Sequence, residues 1–126
     1  SWVGYDVPTH CSALGKALIA WDAVRFPFGR LEIRTHATLA THASLRAELE
    51  RSRERGWVTT RGELEVGLDG VGVPVRGAGD GVVAALGVSG PTHRLEERHA
   101  EVATLLLDAA DELHRALVRR SRRTSG

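Results

Sequence analysis

Apolar residues recur at Leu14, Ala17, Leu18 and Trp21, the spacing of one helix face. Ser12, a short hydroxyl just ahead of that run, is placed to cap it. Phe26-Pro27-Phe28-Gly29 ends or interrupts the helix, because proline cannot continue the backbone ladder. Ahead of it, Trp2 to Thr9 reads as short and extended, broken by Gly4 and Pro8. Arg34 to His42 has threonines and histidines but no helical period, and reads as a loop crossing the surface. Ser44 to Arg55 is a second helix. Ser44 caps it, Leu45 and Leu49 mark its buried stripe, and Gly56 stands where a left-handed C-cap belongs. Glu48, Glu50 and Glu54, with Arg46, Arg51, Arg53 and Arg55, give it a solvated outer face with weak salt bridges.

From Trp57 the texture changes, for nine of the 14 glycines lie between Gly62 and Gly90. Trp57 to Thr60 is a short strand. Val71 to Arg76 and Val82 to Ser89 are two valine-rich strands around Gly77-Ala78-Gly79-Asp80-Gly81, the pattern of a hairpin. Pro74 has no amide proton, so its strand is an edge there or bulged. Gly90-Pro91 stops the second strand. Val102, Leu105, Leu106, Ala109, Leu113 and Leu117 then repeat at helical spacing and must lay a stripe on the sheet. Helices gathered at the two ends of a run of strands argue for an α+β domain with an antiparallel sheet flanked by helices, not a doubly wound parallel one.

Composition narrows the function classes. A chain of 126 residues with 42% hydrophobic and 26% charged residues has one domain's worth of core. It shows no run of about 18 apolar residues for a membrane span and no secretion signal, so cytoplasm is the expected compartment. Cys11 is the only cysteine, which excludes an internal disulfide. A net charge of +1 does not argue for nucleic-acid binding by the domain as a whole. Lys16 is the only lysine among 17 basic residues. Arg119, Arg120, Arg122 and Arg123 form a cluster that could touch phosphates, or be a helix end followed by a frayed tail.

Four constellations bear on chemistry. His10-Cys11 could be a nucleophile with its base or a pair of metal ligands, but adjacent residues rarely aim at one point, and a small buried thiol is the plainer reading. No zinc-type spacing stands out, His36 and His42 coming nearest. Gly77 to Gly81 joins two strands and opens no helix, so it is a turn, not a phosphate cradle. Glu63 and Glu65 read as a solvated loop. Ser12-Ala13-Leu14-Gly15-Lys16 opens a helix with small residues, leaving amide protons without helical partners; that is either an anion site or an ordinary capped helix.

Four pieces in order resemble one family. V-P-T-H-C-S-A-L-G-K-A-L-I-A from Val7 to Ala20 is similar to the helix-opening signature of the IclR effector domain, and R-T-H-A-T-L-A-T from Arg34 to its threonine-rich loop. R-E-R-G-W-V-T from Arg53 resembles its helix end and next strand. G-E-L-E-V-G-L-D-G-V-G-V-P-V-R with G-V-V-A-A-L-G-V-S-G-P resembles its last strands. The resemblance implies a GAF-like α+β domain over residues 1–118, incomplete at its N-terminus, with a basic disordered tail over 119–126. It implies a ligand-sensing and oligomerisation role: a small carboxylate or aromatic acid effector, a homodimer or homotetramer, and DNA bound only through a winged helix-turn-helix domain missing from this chain. It implies no enzyme activity, cofactor, metal or membrane. Carried over by position, the effector site is Ala13, Leu14, Thr60, Leu68, Gly70, Gly87 and Ser89, with Val7 as an apolar wall. Thr60 replaces a frequent acid, Gly70 a cysteine or other side chain, and Gly87 a serine. The expectation is therefore a wider, less polar pocket for an acid of more than two or three carbons. The alternatives are a ligand-free oligomerisation module and a small Cys-dependent hydrolase.

Overall fold

A computed structural model describes residues 8–125, Ser125 by its backbone alone. In chain order it contains α1 (Ala13–Ala20), α2 (His42–Arg55), β1 (Val58–Arg61), β2 (Leu68–Arg76), β3 (Val82–Pro91), α3 (Thr92–Leu95) and α4 (His99–Ser125). The strands form one antiparallel sheet in the order β1-β2-β3, so the α+β class with helices flanking an antiparallel sheet holds. The β2–β3 hairpin closes at Gly77–Gly81, where the Gly77 amide donates to the Gly81 carbonyl at 2.8 Å and Asp80 takes φ 67°. Pro74 lies past the end of β1, whose pairing stops at Val58 opposite Gly72, and beside a bulge at Val75/Arg76. Both are settings in which a strand tolerates a missing amide proton.

Alternation along β2 sends Val71, Val73 and Val75 to one face and Leu68, Gly70 and Gly72 to the other. α4 covers the valine face, where Val73, Val75 and Ala110 are buried with Trp57, Ala84, Leu86, Leu106 and Leu117 around them. α1 and α2 cover the other face through Ala17, Ile19, Ala20, Leu31, Leu45, Leu49 and Val58. The domain thus has three layers with the sheet in the middle. Asp69, on the valine face, lies beside the first residues of α3 and α4. It accepts from Thr92 Oγ1 at 2.7 Å and lies 3.1 Å from His99 Nε2, both acid and imidazole being buried, although the imidazole sits out of line for a hydrogen bond.

The structure corrects several element boundaries. α1 ends at Ala20, with Asp22 at φ 60°, well before Pro27. Its buried residues are Ala13, Gly15, Lys16, Ala17, Ile19 and Ala20, whereas Leu14 is 45% exposed. Small residues, not the largest apolar ones, face the sheet. α2 is capped by Thr41, whose side chain accepts from the Ser44 amide at 3.1 Å; Ser44 itself lies within the first turn. Gly56 is the left-handed C-cap, at φ 96°. The short helix α3 follows Pro91 where only a strand stop was expected. On α4, Leu105 and Leu113 face solvent while Ala103 and Ala110 are buried. α4 also runs helically through 119–125, where a basic disordered tail was expected. Among the described residues no helix is long and apolar enough to cross a membrane.

Candidate functional site

The start of α1 sits on the glycine-rich part of the sheet. Ser12 Oγ accepts from the Gly15 amide at 3.1 Å, and the Ser12 carbonyl accepts from the Lys16 amide at 2.9 Å. Those bonds satisfy the third and fourth amides of the helix and leave the Ala13 and Leu14 amides without a partner inside it. Beneath them, Gly70 of β2 pairs with Thr60 of β1 on one side and Ser89 of β3 on the other. A Cβ at Gly70 would lie 2.9 Å from Ala13 Cβ, 2.9 Å from Thr60 Oγ1 and 3.5 Å from Ser89 Oγ. Four residues proposed from separate parts of the sequence therefore meet at one point. One register step away, a Cβ at Gly87 would lie 2.9 Å from Leu14 Cδ2. Leu68 is on the same face of β2 as Gly70, opposite Pro91. Val7 lies outside the described residues.

The glycines do not widen a pocket here, which corrects the expectation drawn from Gly70 and Gly87. They let the helix come down on the sheet: a Cβ at Gly72 would stand 2.6 Å from the Ala13 carbonyl oxygen. The space that their missing side chains leave is filled by Ala13 and Leu14. Open volume lies elsewhere, for example in a cleft of about 440 Å³ lined by Thr35, His36, Arg61, Thr92 and Glu96.

One interaction at this site escaped the sequence. Lys16 is completely buried, and its Nζ donates to the Thr59 carbonyl at 2.6 Å and to Glu63 Oε1 at 2.9 Å. Glu63 Oε2 accepts from the Arg61 amide at 3.0 Å. Glu63 is thus a buried half of an ion pair, not the solvated loop carboxylate expected; Glu65 alone is exposed. The available signal was the chain's single lysine, set in a helix otherwise made of small and apolar residues. The threonine-rich loop is likewise more than a surface crossing. Thr35 Oγ1 donates to the Gly62 carbonyl at 2.5 Å and Thr38 Oγ1 to the Glu63 carbonyl at 2.6 Å, bracing the turn that carries the acid.

His10 and Cys11 do not cooperate. His10 donates through Nε2 to the Glu32 carbonyl at 2.7 Å. Cys11 has no exposed surface, and its thiol is pushed up to about 11, chiefly by burial, with Arg34 pulling the other way. A nucleophilic cysteine needs the opposite shift. His42 is held by the Gly29 carbonyl at 2.6 Å, apart from His36 in the open cleft.

These features define an α+β domain whose sheet carries a capped helix start over backbone glycines and two hydroxyls. Residues 1–115 match the family described as bacterial transcriptional regulator IclR C-terminal, and the chain belongs to that family. It is 35% identical over 131 residues to the transcriptional regulator XynR of Escherichia coli K12, covering 93% of this chain and 49% of that one. It is 36% identical over 118 residues to the Pca regulon regulatory protein of Pseudomonas putida, covering 88% and 40%. The chain thus spans about half the length of the curated relatives it matches. Among solved structures, the C-terminal domain of E. coli KdgR superposes with a TM-score of 0.75 at 30% identity, covering 88% of this chain and 71% of that one. Thermotoga maritima IclR superposes at 0.77 with 28% identity, covering 87% and 47%. The fold is therefore that of the GAF-like effector domains of this family. The inducer-binding domain of a double mutant of Acinetobacter PobR, in complex with 3-hydroxybenzoic acid, shares the fold with a TM-score of 0.76 at 24% identity over 88% of this chain and 67% of that one. The relatives matched are transcriptional regulators, not enzymes.

Proposed function

We propose that the chain is the sensing domain of a cytoplasmic transcriptional regulator, binding a small carboxylate or aromatic acid at the start of α1. The observation that carries this reading is the meeting of Ala13, Thr60, Gly70 and Ser89 beneath two amides without helical partners. The carboxylate takes the Ala13 and Leu14 amides, where the helix dipole favours negative charge. Thr60 and Ser89 add hydroxyl donors, and Leu68 with Gly70 and Gly87 forms the floor. Leu14, 45% exposed and resting on Gly87, is the side chain that must swing away to admit an acid of more than two or three carbons. A ligand that binds only with α1 shifted selects that state. A difference of about 1–3 kcal/mol between the two states suffices to change the grip on DNA of a helix-turn-helix domain outside this chain, in a homodimer or homotetramer. The PobR domain with 3-hydroxybenzoic acid supports the ligand class by fold.

The test is a thermal-shift and calorimetry screen of this chain with benzoate, 3-hydroxybenzoate and medium-chain acids. At least one acid should raise the melting temperature, because a ligand confined to the native state stabilises it. Thr60→Val and Ser89→Ala should each weaken that acid by about tenfold, the worth of one hydrogen bond of roughly 1.4 kcal/mol. No shift with any acid would favour a ligand-free oligomerisation module. A shift untouched by both variants would move the site elsewhere.

A further inference from the structure

The end of α4 carries a charge pattern that the sensing role does not use. Within α4 the acids Glu101, Asp108, Asp111 and Glu112 all precede residue 113, and Arg115, Arg119, Arg120, Arg122 and Arg123 all follow it. Arg115 is paired with Asp111. Arg119, Arg120, Arg122 and Arg123 are exposed and have no acidic partner among the described residues. The segment is helical through Ser125, so the backbone sets the face from which each of these side chains leaves. At 3.6 residues per turn, Arg115, Arg119, Arg122 and Arg123 share one side, separated by four, three and one positions, with Arg120 on its flank.

Four arginines in five residues repel one another at one-turn spacing. The negative end of the helix dipole offsets only part of that. A surface of this kind is stabilised by a polyanion. From Arg119 to Arg123 the stripe is about 6 Å long, four steps of 1.5 Å, which is the axial run of about three to four phosphates of duplex DNA counted over both strands at 1.7 Å each. Guanidinium forks suit phosphate oxygens in pairs. Arg119, Arg120, Arg122 and Arg123 lie beyond residue 115, where the match to the family ends.

We propose that Arg119, Arg120, Arg122 and Arg123 form a sequence-independent docking surface for the phosphate backbone of duplex DNA. It rests on the reading above only in placing the chain beside DNA. The contact is to phosphates alone, so it adds affinity and orientation without choosing a sequence.

The experiment uses this chain with a fluorescent 20-base-pair duplex of arbitrary sequence, read by anisotropy. Binding should be seen at 50 mM salt and should fall with a log–log salt slope of about −3.6, four contacts at 0.9 each, hence by roughly a hundredfold between 50 and 200 mM. A scrambled duplex should bind equally. The quadruple variant Arg119→Gln, Arg120→Gln, Arg122→Gln, Arg123→Gln keeps good helix formers at exposed positions and should lose binding by at least tenfold with unchanged circular dichroism and melting temperature. Equal binding by that variant, or no duplex binding at 50 mM salt, would overturn the proposal. Capture of poly-glutamate in preference to the duplex would overturn it in favour of an acidic protein partner. The acid-induced thermal shift, measured on the same variant, should be unchanged, so failure of the sensor reading and failure of this one are told apart.

Discussion

Cys11 shows how one position decides between chemistry and packing. Its thiol has no exposed surface, and burial raises its pKa from an ordinary value near 9 to about 11. At pH 8 it stays protonated and out of reach. Iodoacetamide should therefore label native protein far more slowly than unfolded protein, a contrast that mass spectrometry of timed samples reads directly. The same shift couples to stability. The group's acidity is lower in the folded state, so its contribution is fully present below about pH 9, where both states keep the proton. It is lost as pH rises through 9 to 11, where the unfolded chain ionises first. Two pKa units correspond to about 2–3 kcal/mol at most. Urea melts between pH 8.5 and 11 should show a decline that Cys11→Ala lessens; an undiminished decline in the variant would assign it to other groups. This residue was legible in the sequence, because an isolated cysteine beside an apolar helix is most simply a small core residue. The direction of Leu14 was not legible, since periodicity assumes that the larger apolar side chain goes inward. Here Gly70 and Gly72 bring the sheet backbone so close that Ala13 and the helix backbone fill the contact, while Leu14 lies over Gly87 with 45% of its surface exposed.

At the scale of elements, the Lys16–Glu63 pair joins α1 to the β1–β2 connection. Lys16 also holds the Thr59 carbonyl, one residue from Thr60 in the candidate site. The ammonium is enclosed and its partner nearly so, which makes the pair a commitment to one geometry more than a gain in stability. Its charge reaches α2 as well. Burial works to raise the Glu48 carboxyl, but the hydrogen bond from Arg51 and the charges of Lys16, Arg55 and Arg51 outweigh it, leaving the net shift downward. Lys16→Met should cost about 3–5 kcal/mol in a denaturant melt, because Glu63 is left buried without its counter-charge. Adding Glu63→Gln removes that charge and keeps an acceptor for the Arg61 amide, so the double variant should recover most of the loss. Additive costs would mean that the two side chains are not coupled. The strands, the hairpin and the α2 C-cap were legible because valine alternation and glycine turns are local. The ion pair was not, because Lys16 and Glu63 are 47 positions apart, and no local pattern shows that the loop carrying an acid folds back over a helix. The site residues came from a resemblance to a family, and the structure brings six of them together while showing that they touch one another.

At the scale of the whole molecule, the question is how a shift of α1 could be read by a partner outside the domain. A helix 27 residues long crosses the opposite face of the same sheet, and His99 at its start lies 3.1 Å from Asp69 with both side chains buried. Gly70, which carries the candidate site, is the next residue of β2. The candidate site and the start of α4 therefore lie on opposite faces of neighbouring positions in one strand, a short path from that site to the domain's longest element. Such a signal is useful to a regulator only if it acts on paired half-sites, and paired half-sites call for two-fold assembly. Leu105, 65% exposed, and Leu113, 40% exposed, leave α4 with apolar surface that a lone domain does not cover. The chain should therefore sediment as a dimer or larger species at tens of micromolar, with a weight-average mass that falls on dilution if the contact is moderate. An effector that shifts α1 should alter that dilution curve, because a ligand and an association step that share a conformational equilibrium are linked reciprocally. A clean monomer across the concentration range, with and without a confirmed effector, would count against assembly by this domain and place the pairing of half-sites in another part of the regulator.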